Sequence, residues 1–460
     1  MSDDTSAVTA PKTDRREFLR RSSVLVASSA LWVSELTAAG KDDEHVRVAV
    51  VGTGGRGSDL IRTLTTIDRA QIVAVCDNYP PHLERGMKYA GPQARGFSDY
   101  TTMLREIRPD ALVVATPLHM HFEMCMEALP TGCAIFCEKT MCRSIEQARE
   151  LAAAVHKHDA VFQVGLQRRA NAIYQQAVAM VQTGMLGQIG AIKCQWHRNN
   201  NWRRPVPVKR GAEGWEALEH RLNWRLYPQY SGGLMTELAS HQLDVVNWVL
   251  GRGPRRVIGS GGIDYWRDGR EVFDNVFCIY EYEMPADSPG AAKTAPSGPA
   301  EKATSTPAPH TVRVTYSSIQ NNAFEGASEL IMGTRGTLLL TQKKGLFYRE
   351  RGVDDPGWAK DGRVKENAKV ITSGKTLKLG NDPWAHRGLP FEIASEGDDT
   401  RDELVAFLQC AQHRDPATIC DARHGLLDTE TVLTGNLAME RRTAVEFHPQ
   451  DPATAMKDEG

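Results

Sequence analysis

Hydrophobic and polar positions follow two regimes along the chain. In the first, short unbroken apolar runs alternate with segments whose apolar residues recur every three or four positions. Val46–Val51, Gln71–Asp77, Asp110–Pro117, Ala134–Lys139 and Val161–Gly165 read as buried strands, while Asp99–Arg105, His119–Leu129 and Ile145–His156 read as helices. Strands buried on both faces and separated by helices of this length imply right-handed crossovers and a parallel, doubly wound sheet. The second regime alternates with period two. It covers 255–266, 271–283, 310–320 and 336–342, as the half-buried strands of an open, mostly antiparallel sheet do. Helical patterns at Asp402–Gln412 and His424–Arg441 and a short strand, AVEFHP, close the chain. The predicted fold class is α/β, with a doubly wound parallel sheet first and a C-terminal α/β domain with a large, mostly antiparallel open sheet after it.

At 460 residues the chain exceeds one ordinary core, which typically takes about 100 to 200 residues. The pattern divides it at 45–165 and 166–460, with 284–310, rich in Pro, Ala, Ser and Thr, as a flexible insert that cannot bury a core. With 41% hydrophobic residues, 24% charged residues and a formal charge of −2, nothing points to nucleic acid or an anionic membrane as partner. Residues 1–39 stand apart. Arg15-Arg16, then Phe18-Leu19, a modest apolar run from Val24 to Val33 and small residues at Ala38 and Ala39 have the layout of a twin-arginine export signal, with Asp14 where Ser or Thr is commoner. The plain alternative is a basic N-terminal tail. The apolar run is too short for a stable membrane span, and export would place the protein in the periplasm. The nine cysteines lack zinc-like spacing, and several lie in strand-like apolar runs, so neither a disulfide framework nor a metal is expected.

The first strand ends in Gly52, Gly54 and Gly57, spaced G-x-G-x-x-G, with Gly55 and Arg56 between them and a helical pattern following. That order suits a tight turn, close backbone approach to a pyrophosphate, close helix packing and a helix N-terminus facing the phosphates, as in a Rossmann domain. The second strand ends in Asp77, twenty residues after Gly57, where a carboxylate would take the ribose hydroxyls. Asp77 favours NAD, since a carboxylate repels a 2′-phosphate; Arg56 and Arg85 keep NADP as runner-up. Thr116-Pro117 and Glu138-Lys139 sit at strand C-terminal ends and should edge the same crevice.

The ordered set of glycine loop, ATPLHMH, CEKT, VGLQRR and GGLMTELASHQLDVVNWVLG resembles the Gfo/Idh/MocA oxidoreductases from about Val46 onward. The resemblance implies a Rossmann domain and a C-terminal sheet that covers the nicotinamide and often makes a homo-oligomer contact. Two positions depart from the family pattern: Thr140 replaces the proline after Glu-Lys, which would loosen that turn, and Leu118 replaces the asparagine after Thr-Pro. The family's acid–base histidine and neighbouring carboxylate fall on His241 and Glu237, opposite Lys139; His121 takes the histidine place after Thr-Pro and Arg169 that of the Gln-Arg-Arg motif.

Chemistry supports the same residues. Oxidising a secondary alcohol requires a base of near-neutral pKa at the hydroxyl and a donor to the developing alkoxide. His241 is the expected base and Lys139 the alkoxide donor. Glu237, four residues before His241 on a helix, would orient the histidine or a substrate hydroxyl. Asp244, three residues further on, suits a supporting or substrate-side role. A Glu and His so spaced can also satisfy each other in a core, or hold a metal, though no further ligands lie at supporting spacing. For substrate, WHRNNNWRRP and LNWRLYPQY mix rings with amides and guanidinia, as carbohydrate binding requires, with Arg169 and Trp224 the favoured members.

The expected activity is an exported NAD(P)-dependent oxidoreductase acting on a sugar or polyol. The cofactor would be tightly held, because no soluble pool recycles it outside the cytoplasm. A redox-neutral glycosidase or lyase using transient sugar oxidation is the alternative, and a non-catalytic sugar-binding protein the third class.

Overall fold

The apolar run Val46–Val51 (β1) is almost wholly buried, and the segments after it build around it in the computed structural model, which describes residues 45–286, 288, 308–350, 390–393 and 397–447. The proposed export signal lies outside the described residues, as does most of the 284–310 insert. β1 pairs in parallel with β2 (Ala70–Cys76) on one side and β4 (Ala111–Val114) on the other. β3 (Arg95–Phe97), β5 (Ala134–Glu138) and β6 (Phe162–Gly165) extend the sheet to the order β3-β2-β1-β4-β5-β6, all parallel. The order reverses beside β1, which opens a crevice at the strand C-terminal ends. Helices α1 (Gly55–Leu64), α2 (Pro80–Ala90), α3 (Tyr100–Ile107), α4 (His121–Ala128) and α5 (Ile145–Lys157) make the crossovers. Asp99 and Ser144 cap α3 and α5 with side-chain oxygens.

After α6 (Ala172–Gln182) the chain enters the second sheet through β7 (Ile189–Trp196). This strand sits mid-sheet, parallel to β10 (His310–Ile319) and antiparallel to β11 (Ala327–Gly333). The described order is β14-β13-β12-β11-β7-β10-β9-β8-β15, with β8 at Arg256–Gly262, β9 at Asn275–Met284, β12 at Gly336–Thr341, β13 at Lys344–Arg349, β14 at Phe391–Ile393 and β15 at Val445–Glu446. Period two is plain in β9, where Val276, Cys278, Tyr280 and Tyr282 are buried while Phe277 and Ile279 remain 51% and 44% exposed.

Between β7 and β8 lie α7 (Trp215–Leu222), a π-helical turn at Met235–Ala239 and α8 (Ser240–Leu250), which continues directly from that turn. The last helices cross back. Leu404, Phe407 and Leu408 of α9 (Asp399–His413) are fully buried in one cluster with Val48, Leu60 and Phe136, and the Phe136 and Phe407 rings lie 5.5 Å apart. α10 (Ala422–Arg441) packs between α5 and α8, and its Glu430 accepts from Arg149 of α5 at 2.8 Å. α9, from the part of the chain after residue 165, therefore completes the core of the first sheet. All nine cysteines are buried and free.

Candidate active site

A cavity of about 790 Å³ lies over the C-terminal ends of β1, β2, β4 and β5 and is roofed by the segment between β7 and β8. Its floor begins at the glycine loop. Gly52 has φ +85°, and a Cβ there would meet the Ala115 carbonyl at 2.7 Å; at Gly57 a Cβ would lie 1.8 Å from the Gly52 oxygen. Both positions exclude any other residue for reasons internal to the fold. Gly54 differs, since a Cβ there would meet nothing closer than the His82 ring at 3.7 Å, leaving space above the loop. Helix α1 opens there without a side-chain cap and without an acidic residue in its first turn, so its free amides face the cavity.

Asp77 stands at the end of β2. One oxygen accepts from the Thr53 amide at 2.9 Å and the other from the Tyr79 amide at 2.9 Å. Burial alone would raise its pKa, but bonds from His82, Tyr79 and Thr53 outweigh this and hold the carboxyl below its ordinary value. An open phosphate-facing helix end, a glycine-bared loop and an ionised carboxylate at the second strand fit a dinucleotide. Of the two arginines that kept NADP in view, one is paired with carboxylates and the other bonds neutral oxygens. Arg56 pairs with Glu138 at 2.6 Å and with Glu403 of α9 at 3.0 Å, and Arg85 bonds Ser58 and the Thr53 carbonyl.

Lys139 follows β5. Its backbone amide bonds the Glu138 carboxylate at 3.1 Å and its ammonium bonds the Glu237 carbonyl at 2.8 Å. Burial lowers its pKa, against the raising pull of Glu237 and Glu138. The π turn is open enough for side chains to reach its carbonyls. Thr140 uses this too, donating to the Thr236 carbonyl at 2.9 Å with Ser240 3.2 Å from its hydroxyl. Thr140 thus ties the turn down rather than loosening it, because its hydroxyl supplies a bond that proline lacks. His121, also buried, has its two ring nitrogens 3.1 and 3.0 Å from the Thr116 and Thr140 carbonyls, one of which a neutral ring can donate to; burial lowers its pKa while both carbonyls oppose that.

The three ionisable residues of the site helix separate in space. His241 enters the cavity, its ring 5.5 Å from that of Trp196. Burial, then Lys139, Arg168 and Arg56, holds its pKa well below the usual histidine value, so the ring is neutral at physiological pH. Glu237 does not orient His241: its carboxylate accepts from Arg225 at 2.8 Å and Ser231 at 3.0 Å. Asp244 turns away from the cavity and takes a two-pronged bond from Arg169, the nearest contact 2.6 Å. Both members of that pair are buried and neither lines the cavity, so they brace α8 against the loop after β6. Trp224 does line it, with Arg225 4.2 Å over its ring. Gly52, Gly54, Gly55, Arg56, Asp77, Thr116, Pro117, His121, Glu138, Lys139 and Glu237 also line it, whereas Gly57 acts through packing.

Residues 46–166 match the family described as "Oxidoreductase family, NAD-binding Rossmann fold", and residues 178–447 match its "C-terminal alpha/beta domain". The chain belongs to the Gfo/Idh/MocA oxidoreductase family. Among curated Gfo/Idh/MocA relatives, a 2,7-anhydro-N-acetylneuraminate hydratase of Mediterraneibacter gnavus is 28% identical over 47% of this chain and 52% of its own. A D-glucoside 3-dehydrogenase of Escherichia coli is 27% identical over 45% and 54%. The chain thus spans about half the length of the curated relatives it matches. A levoglucosan dehydrogenase solved with NADH superposes with a TM-score of 0.64 at 14% identity, covering 88% of this chain and 99% of that one, a likeness of fold.

Several cavity residues escaped the sequence reading. Arg198, Arg204, His220, Arg221 and Arg225 all come from the roof segment. Arg204 lies over the glycine loop, 3.1 Å from where a Gly55 Cβ would stand, and Arg221 donates to the carbonyl and side chain of Asn78, next to Asp77. For Arg198, Arg204 and Arg225 the signal was the clustering of arginine with tryptophan in two stretches, while His220 and Arg221 lie just outside them; of the two favoured residues Trp224 lines the cavity and Arg169 does not, because sequence cannot show which guanidinia already have acidic partners.

Proposed function

We propose that this protein is an NAD-dependent oxidoreductase acting on a secondary hydroxyl or ketone of a sugar or polyol. The observation that supports it most is His241, buried, neutral and close enough to Lys139 to feel its charge, in the same cavity as the glycine loop and Asp77. When bound, NAD supplies the acceptor for the hydride that leaves carbon. His241 takes the hydroxyl proton, and Lys139, anchored by the Glu237 carbonyl, donates a hydrogen bond to the developing alkoxide. Glu237 holds Arg225 at the wall, and Thr116, Pro117, His121 and Glu138 shape the cofactor side. NAD is preferred over NADP because Arg56 and Arg85 are engaged elsewhere.

Arg204 and Arg221 reach from the roof to the cofactor floor, which supports a tightly held cofactor. Export by the twin-arginine route to the periplasm rests on Arg15 and Arg16, and free, buried cysteines suit a protein folded before it leaves. A homo-oligomer through the second sheet is supported by the apolar outer face of β8 and β9, where Ile258, Phe277 and Ile279 are exposed together.

The deciding experiment is mass spectrometry of nucleotide released by denaturing the purified protein, followed by absorbance at the reduced-nicotinamide band as sugars are added. Near-stoichiometric NAD that sugars reduce supports the proposal; an empty protein, or bound NAD that no sugar or polyol reduces, counts against it. The likeness to a hydratase favours one second reading, a redox-neutral reaction through transient oxidation. It predicts bond cleavage or hydration with no net nucleotide reduction.

A further inference from the structure

We propose that Arg198 is the receptor for a carboxylate on the substrate, so that the sugar taken by this site is a sugar acid. The inference rests on the oxidoreductase reading above and adds the substrate class.

Arg198 lies just beyond β7, and its guanidinium is held between two indoles, 5.5 Å from the Trp196 ring centre and 5.7 Å from that of Trp202. The segment is fixed to the end of β10: the Arg198 amide bonds the Ile319 carbonyl at 2.8 Å, and Asn200 bonds that of Gln320. Trp202 is held at φ +61°, a conformation a bulky side chain rarely adopts, with its amide tied to the Asn200 side chain at 2.6 Å. The structure accepts that strain while placing an aromatic ring against Arg198. Trp196 touches both residues that matter, since its ring also lies 5.5 Å from His241. Arg198 is therefore one indole away from the proton acceptor.

The charges of the cavity leave Arg198 unanswered. Arg56 has Glu138 and Glu403, and Arg225 has Glu237. Lys139 and Arg221 donate to carbonyls. Arg204 lies over the glycine loop, where the pyrophosphate of a dinucleotide would answer it. Among the described residues Arg198 has neither an acidic partner nor a side-chain hydrogen bond; burial and the nearby Arg225 both act against its charge. A half-buried cation in this position needs an anion, and a planar guanidinium fork matches the two coplanar oxygens of a carboxylate.

The test uses the full protein with its nucleotide, offering D-glucuronate, D-galacturonate, their neutral counterparts D-glucose and D-galactose, and glucose 6-phosphate. Nucleotide reduction and quenching of tryptophan fluorescence are both read. A uronate should be favoured over its neutral counterpart in kcat/KM or affinity. Arg198→Met, which keeps the apolar stem between the indoles, should reduce that ratio about tenfold to a hundredfold through KM. Arg198→Lys should recover part of it. Neutral sugars oxidised as well as the acids overturn the inference and leave the oxidoreductase reading standing. Uronate binding that depends on Arg198, without reduction of nucleotide by any sugar, supports the receptor and removes that reading. A preference for glucose 6-phosphate, a ratio unchanged in Arg198→Met, or no binding or turnover of either acid overturns the carboxylate assignment.

Discussion

His241 and Lys139 give the residue scale its sharpest expectations. His241→Ala should lower kcat by about a hundredfold to ten-thousandfold while leaving bound nucleotide in place, read by turnover beside released NAD. The pH dependence has a definite sign. Because burial and nearby cations hold the His241 pKa well below 6.5, the base stays deprotonated as pH falls through that value. The acid limb of kcat/KM should therefore lie below pH 6.5; a limb above it would remove His241 as the base. Asp77→Ala should weaken NAD about tenfold to a hundredfold, measured by titration calorimetry on stripped protein, with a smaller change in kcat. The glycine loop and Asp77 were picked out by the spacing a phosphate loop requires, and Lys139 and His241 by the family resemblance and the needs of a proton transfer; Gly52, Gly54, Asp77, Lys139 and His241 all line one cavity. Arg169 was expected at the substrate and instead answers Asp244, whose supporting role agrees with one of the two roles expected of it, because sequence shows two opposite charges without showing that they meet inside the core.

At the scale of elements, the joint between the first domain and the site helix is made of side chains reaching main-chain carbonyls. Lys139 and Thr140, consecutive at the end of β5, bond consecutive carbonyls, those of Glu237 and Thr236. Thr140→Val keeps the shape and removes the donor. It should cost about 1 to 2 kcal/mol and lower Tm by about 1–2 °C, with a further loss in kcat as Lys139 loses its neighbouring anchor. An unchanged Tm and kcat would show that the joint does not depend on that hydroxyl. The π turn itself was not legible. The apolar period of GGLMTELASHQLDVVNWVLG reads as one continuous α-helix, and a widened turn carries no composition of its own. That is why Glu237, four residues before His241, was expected beside it and instead meets Arg225.

At the scale of the whole molecule, the character of both sheets was legible from periodicity, unbroken in one and alternating in the other, while β3 and, in the second sheet, β7, β11, β13 and β14 went unread. The return of α9 was not legible, because an amphipathic helix declares that it has a buried face without declaring which core it joins. The alternating sheet leaves Phe277 and Ile279 outward, and the proposed oligomer gives them a function. Phe277→Glu should shift sedimentation toward the monomer without unfolding the chain; a species of unchanged size would place any subunit contact elsewhere.

The same α9 sets an order of events during synthesis. Phe407 and Glu403 belong to a helix made long after the glycine loop has left the ribosome, yet Phe407 completes the core beneath β1 and Glu403 fixes Arg56 beside Gly55. A nascent chain thus carries its nucleotide loop incomplete until most of its length has been translated. A chain that stops before α9 leaves that apolar sheet face bare and Arg56 without its Glu403 partner.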